Sequence, residues 1–371
     1  MMKFSCEKAL LVSAISVASR TVAPKSAIPS LEGIRMKAGV KVLLSGYNLE
    51  TGITVSVPAD IQEVGECVMP ARLFFDIVRK LPDDTVYVTV DEKLRVSIKG
   101  GISSFTIAAM PADDYPELPD VDSEKGIALP QQKLRDMISG TIFSVSENQA
   151  RPIHTGCLFE VDDTSITIVA VDGYRLALRR YVPETPLGRK LRFVAPAAAL
   201  REVEKILGDT DEPVVFILGS KHILFQIGDA TLVCRILEGE FLNWRQVLPQ
   251  DCPIKLAANV AALTDCVERV GLVISEKLKS PVRCVFGQNS GDFRTQSTLG
   301  EAHDVCQLAG DGRELEIGFN CQYLLDALRA VPTPEVTLEL TNGLSPIVLT
   351  PCDGSGSYSY MVLPVRLKAE A

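Results

Sequence analysis

Cys157 and His154 are the one nucleophile and base that stand near each other along the chain, a combination that could serve thiol-based hydrolysis. Little else supports such chemistry. The sequence has no G-x-S-x-G, no phosphate-binding G-x-x-x-x-G-K-[ST], no H-E-x-x-H and no G-x-G-x-x-G that opens a helix after a strand. The paired acids Asp83-Asp84, Asp113-Asp114 and Asp162-Asp163 fall at expected turns, where a short carboxylate bonds nearby backbone amides. Ten cysteines include no C-x-x-C pair, and His154, His222 and His303 lie far apart. No zinc site is expected, and no cofactor. Reduced, mostly buried thiols in a cytoplasmic protein are the expectation. A chain without a catalytic constellation reads as a scaffold or binding protein.

The elements that must position any site come from 371 residues, 46% hydrophobic and 23% charged, which is enough for two or three domains. Only 6% are aromatic, so the cores rely on Val, Ile, Leu and Ala. The formal net charge is -9. Bulk charge therefore repels polyphosphate, and a nucleic-acid partner would need the basic residues gathered on one face. Near the N-terminus Leu11, Ala14, Ile15 and Ala18 recur at helical spacing, which favours an amphipathic helix over a signal peptide. No stretch is long and apolar enough to span a membrane.

One pattern recurs three times: strand, helix, turn, strand. The first copy runs through Cys67-Val68-Met69-Pro70, a helix over 71–81, Pro82-Asp83-Asp84 and a strand over 86–90. The second has Phe193-Val194-Ala195-Pro196, a helix over 197–207, Gly208-Asp209 and a strand over 214–218. The third has Leu315-Glu316-Ile317, a helix over 321–331, Pro332-Thr333-Pro334 and a strand over 336–340. Leu81, Leu207 and Val331 take equivalent places, 126 and then 124 residues apart. Pro or Gly stops each helix. A second helix opens each copy, over 6–19, 131–143 and 258–274. The turn-rich stretches 116–126 and 248–253 mark the borders, giving domains 1–125, 126–251 and 252–371. The fold class is α+β: three tandem similar domains, each with two helices on antiparallel sheet.

Basic residues recur on or beside the helices. They include Lys8, Arg20, Lys25, Arg72, Arg79, Lys80, Lys133, Arg135, Arg151, Arg201, Lys205, Arg269, Lys277, Lys279 and Arg329. Glu202, Glu204 and Glu268 sit among them. Solvated helix faces account for this pattern unless the copies close into a ring with the helices inside.

Four segments carry a resemblance. Tyr360-Met361-Val362-Leu363-Pro364-Val365-Arg366-Leu367 resembles the terminal segment of the bacterial sliding clamps, the β subunits of DNA polymerase III. Val171-Asp172-Gly173-Tyr174-Arg175-Leu176-Ala177 is similar to that family's middle-domain turn. Phe241-Leu242-Asn243-Trp244-Arg245-Gln246-Val247-Leu248-Pro249 resembles the join between its middle and last domains. Phe105-Thr106-Ile107, then Met110-Pro111-Ala112-Asp113-Asp114-Tyr115-Pro116, is similar to the end of its first domain. The resemblance spans essentially the whole chain.

The resemblance implies a homodimeric six-domain ring, a processivity factor with no catalytic site of its own. Such a ring encircles duplex DNA without sequence preference. Implied partners are the polymerase III catalytic subunit, the clamp loader and other proteins with a clamp-binding motif. Implied interface residues are Phe105 and Ile107 of one subunit against Val273 and Ile274 of the next, with core packing as the plainer alternative. Ile102 and Ser104 replace basic residues of some relatives, so ion pairing there is expected to be weaker. Implied DNA contacts are Lys25, Arg72, Asn148 and Arg151. An implied peptide pocket holds His154, Val171, Gly173, Tyr174, Arg175, Leu176, Leu242, Val247, Met361, Leu363, Pro364, Val365 and Arg366. Leu242 and Gln246 depart from the commoner Pro and Arg, which bears on motif preference. Two other classes stay open on the residues alone: a dimeric scaffold that never surrounds DNA, and the hydrolase of Cys157 and His154.

Overall fold

The computed structural model describes residues 1–121, 126–275 and 280–367. Lys277, Lys279 and the border at 125 lie outside the described residues. Three copies of the pattern are present. The opening helices are α1 (Lys8–Ala18), α3 (Gln131–Ser139) and α6 (Val260–Gly271). Their companions are α2 (Ala71–Lys80), α4 (Ala197–Ile206) and α7 (Cys321–Arg329). A further short helix, α5 (Trp244–Val247), follows the second copy. Each long helix starts where expected, or within two residues, and stops one to four residues short of its expected end.

Apolar spacing explains these helices. In α1 the residues Leu11, Ala14, Ile15 and Ala18 are buried, the stripe expected from the sequence. In α2 the buried residues are Phe74, Ile77 and Val78. In α6 and α7 an Asn precedes the first turn and caps it: the Asn259 side chain accepts from the Ala262 amide, and Asn320 from the Tyr323 amide. The segment that could pass for a signal peptide starts as a strand, Met2–Glu7, in the interior of a sheet.

The contacts group the chain into two compact units: Met1–Leu134 with Arg201–Ile236, and Arg135–Leu200 with Leu237–Ala371. The middle copy is shared between them because its strands extend its neighbours' sheets. In the first unit, strand Ala230–Arg235 pairs antiparallel with Thr51–Val57, joining an eight-stranded sheet. In the second, Tyr358–Val362 pairs antiparallel with Arg175–Tyr181, joining a ten-stranded sheet.

These two joins have the same register. Leu232 opposes Ile53 in one and Tyr360 opposes Ala177 in the other. Just beyond, the Arg235 amide donates to the Glu50 carbonyl at 3.3 Å, and the Leu363 amide to the Tyr174 carbonyl at 2.9 Å. The first copy has its own equivalent strand, Ser103–Ala108, at one edge of a five-stranded sheet. There Phe105 opposes Ile98, as Leu232 opposes Phe225 and Tyr360 opposes Leu349.

Candidate functional site

In the second unit the turn between strands Ile166–Val171 and Arg175–Tyr181 is set by Asp172. Its Oδ1 accepts from the amides of Tyr174 (2.8 Å) and Arg175 (3.0 Å). Gly173 sits at φ +94°, a conformation that side chains with a β carbon resist. The Leu363 amide bonds the Tyr174 carbonyl, which stitches the C-terminal segment to this turn.

Beside the turn one sheet face presents Val169, Val171, Leu176, Leu178, Val348 and Met361. The segment after the second copy crosses it: Leu237, Phe241, Trp244 and Leu248 pack there with Leu363 and Ile153. The Trp244 indole donates to Glu160 at 3.1 Å, and Arg245 stacks on Trp244 at 4.1 Å. The polar end of the indole is thereby satisfied while its rings cover apolar surface. Leu242 and Val247, on the same crossing segment, are 38% and 37% exposed. A cavity of about 430 Å³ adjoins it, lined by Thr167, Leu178, Arg180, Trp244, Leu248 and Ser359 among others.

The structure thus brings Val171, Leu176, Met361 and Leu363 into one apolar cluster, while Leu242 and Val247 stand exposed on the segment whose Phe241, Trp244 and Leu248 pack against it. His154 lies edge-on to Phe241, with ring centroids 5.3 Å apart. Burial, then the charge of Arg151, lowers its pKa and favours the neutral ring. Tyr174 is exposed and stacks on Tyr323. Arg175 is already committed: its guanidinium reaches Asp172 (2.9 Å) and Asp326 (2.5 Å) and lies over Tyr323 at 4.4 Å. Val365 turns to another strand, where its amide bonds the Gly318 carbonyl, and Arg366 is exposed. Pro364 is half-buried. Phe241, Trp244 and Leu248 on this face, and Tyr323 against Tyr174, are residues that the sequence alone does not single out. Phe241, Trp244 and Leu248 stand in a segment that carries the family resemblance, but nothing in their spacing says that they fold over this sheet face.

Phe105 is 39% exposed, whereas Leu232 and Tyr360 at the equivalent positions are 1% and 0% exposed. The difference comes from the partner strand. Leu232 and Tyr360 lie on strands paired on both sides, and Phe105 lies on a strand paired on one side only. Ile107 is half-buried on the same face. Val273 and Ile274 follow α6, Ile274 resting on the core of the second unit. Leu272 beside them is 81% exposed.

Lys25, Arg72, Asn148 and Arg151 are all exposed. Counting from α1 and α3, Lys25 and Asn148 occupy the same place in their copies. The basic charge of the helices is unequal among the copies. Helices α1 and α2 hold four basic residues against one acidic, α3 and α4 four against three, and α6 and α7 two against three.

Cys157 is fully buried in strand Gly156–Val161, out of reach of a substrate. Among the described residues no group of three or more His, Cys, Asp or Glu is placed to hold a metal, and no helix is long and apolar enough to cross a membrane.

Three family models of the DNA polymerase III beta subunit match in order: the N-terminal domain over residues 2–119, the central domain over 128–243 and the C-terminal domain over 245–366. A beta sliding clamp of Staphylococcus epidermidis is 30% identical, with 99% of this chain and 100% of that one covered. The DNA polymerase sliding clamp of Bacillus subtilis superimposes with a TM-score of 0.94 at 28% identity, over 99% of this chain and 100% of that one. The DNA polymerase III beta subunit of Thermotoga maritima does so with a TM-score of 0.90 at 26% identity, over 99% and 100%. Three tandem domains of one α+β pattern, matched from end to end, show that this chain belongs to the family of DNA polymerase III beta subunits, the beta sliding clamps.

Proposed function

We propose that two copies of this chain close into a ring around duplex DNA and tether the replicative polymerase to it, without catalysis of their own. The observation that carries the reading is the exposure of Phe105. Within the chain, the last strand of copies two and three pairs with a strand of the preceding copy. Within residues 1–371 the last strand of copy one, Ser103–Ala108, has no preceding copy to pair with, and the strand Gly300–Phe319 of copy three has no following copy. A second subunit supplies both, and a two-fold arrangement leaves neither of these two strands without its partner.

If the register of the two internal joins is carried over to the seam between subunits, Phe105 pairs near the partner subunit's Ala302 and Ser104 near the partner subunit's His303. Phe143 packs edge-on against Tyr360 at 5.7 Å in the internal join of unit two. Counting from the opening helices, Leu272 stands where Phe143 does. Phe105 therefore meets the partner subunit's Leu272, with Val273 and Ile274 beside it and Ile107 completing the apolar patch. Ser104 and Ile102 offer no charge, so this contact is held by apolar burial and strand pairing.

A ring holds DNA by topology, so contact with it can stay weak. Non-specific phosphate attraction alone gives dissociation constants of roughly 10⁻⁴ to 10⁻⁶ M. Lys25, Arg72, Asn148 and Arg151 are the contacts we assign. The apolar cleft at Val171, Leu176, Met361 and Leu363, rimmed by Leu242 and Val247, is the docking site for short peptides of the polymerase catalytic subunit, the clamp loader and other clients. Domains 1–125, 126–251 and 252–371 each contribute two helices to the hole. The setting is the cytoplasm, where the duplex is.

The test is retention on DNA. Loaded protein should stay on nicked circular DNA and run off when the circle is cut, and its molar mass in solution should be that of two chains. Equal loss from circle and linear DNA would refute the ring.

A further inference from the structure

We infer that the hole grips its DNA unevenly: the first copy, through Arg72 and Lys80, holds the phosphate backbone, and the third copy's helices are a bearing surface without net attraction. This rests on the ring reading. Arg72 and Lys80 are exposed on α2 and make no side-chain ion pair or hydrogen bond among the described residues. The other cations of that helix pair are occupied. Arg79 turns back to Asp76 at 3.4 Å and stacks on Phe75, and Lys8 donates to the Leu81 carbonyl.

In the third copy both helix cations are spent on acids. Arg269 pairs with Asp304 at 2.5 Å, and Arg329 with Glu268 at 2.7 Å. Asp265 adds a further negative charge on α6. A phosphate above α6 and α7 therefore meets paired charges whose fields largely cancel. At physiological salt, exposed charges are screened over about 8 Å, so distant cations do not make up the difference. The second copy lies between: Lys133, Arg135 and Arg201 have no acidic partner among the described residues, but Asp136 and Glu204 stand on the same helices. In a two-fold ring this gives two gripping sectors, one per subunit, separated by the weakly basic second copies and by third copies without net attraction.

The experiment compares two double variants with equal change of net charge, Arg72→Gln/Lys80→Gln and Arg269→Gln/Arg329→Gln. Binding to a short linear duplex is followed by fluorescence anisotropy as salt is raised. Each lost phosphate contact lowers the slope of log affinity against log salt by about 0.9, so loss of two should remove roughly tenfold of the weakening between about 50 and 200 mM salt for each gripping sector that the duplex touches. We expect that loss for the first variant, none for Arg72→Lys/Lys80→Arg, which keeps both charges, and for the second only the smaller loss that the unpaired Asp304 and Glu268 cause by repelling phosphate. Equal slopes for both variants, or a larger loss for the second, would overturn the inference. A parent protein that fails to stay on circular DNA would instead remove the ring reading beneath it.

Discussion

Phe143 meets Tyr360 edge-to-face, with centroids 5.7 Å apart and ring planes at 71°. Phe143 belongs to copy two and Tyr360 to copy three, so this contact is the seam between repeats. The same seam is open at Phe105, whose strand has a free edge for a second subunit to cover.

Phe105→Ser should convert two chains to one by light scattering. Because Phe105 is 39% exposed, the single chain should lose under about 1 kcal/mol in denaturant unfolding. Tyr360→Ala, at the equivalent buried position, should cost about 3 kcal/mol, as truncation of a buried aromatic does. Equal destabilisation by both would mean that Phe105 is core.

Leu272→Asp should also dissociate the dimer while leaving peptide binding intact, since Leu272 lies outside the apolar cluster of the cleft. Analytical ultracentrifugation and peptide titration on the same sample separate these outcomes.

Val247→Asp should abolish binding of a peptide with leucine and aromatic anchors, by at least about tenfold in calorimetry, with little effect on folding. The cleft loses apolar rim and gains a charge that the peptide would desolvate. Leu242→Pro tests the rim from the other side and should change which peptide is preferred more than how tightly the best one binds.

Arg175→Met removes the cation shared by Asp172 and Asp326. Two carboxylates are left without it in a setting where the arginine side chain is 11% exposed, at a cost of about 3 kcal/mol. Asp326→Asn keeps the Asp172 pair and should cost about 1 kcal/mol. Chemical denaturation reads both.

Burial pushes the thiols of Cys6, Cys67 and Cys234 up to about 12 from 9.0. They should resist iodoacetamide at pH 8, whereas exposed Cys352 should label first in peptide mass spectra. The folded pKa lies above the unfolded one, so the folded state favours the protonated thiol. Stability is thus undiminished below about pH 9 and falls between roughly 9 and 12 as the unfolded chain ionises.

The sequence by itself determined the local structure. Apolar spacing marked six helices, three of them with Pro or Gly at the stop, and placed Val68, Val194 and Ile317 in strands before the second helix of each copy. Self-similarity marked three copies, because each copy must solve the same packing problem with the same pattern of buried positions. Only the tertiary structure decided how copies share strands. Leu232, Tyr360 and Phe105 are alike as strand residues, yet two are buried and one is exposed, since strand pairing depends on which edge lies alongside and not on the residues within the strand. The same holds for charge. Arg72 and Arg329 are both helix arginines in the sequence, but a carboxylate within 2.7 Å takes up the charge of Arg329 and leaves that of Arg72 available.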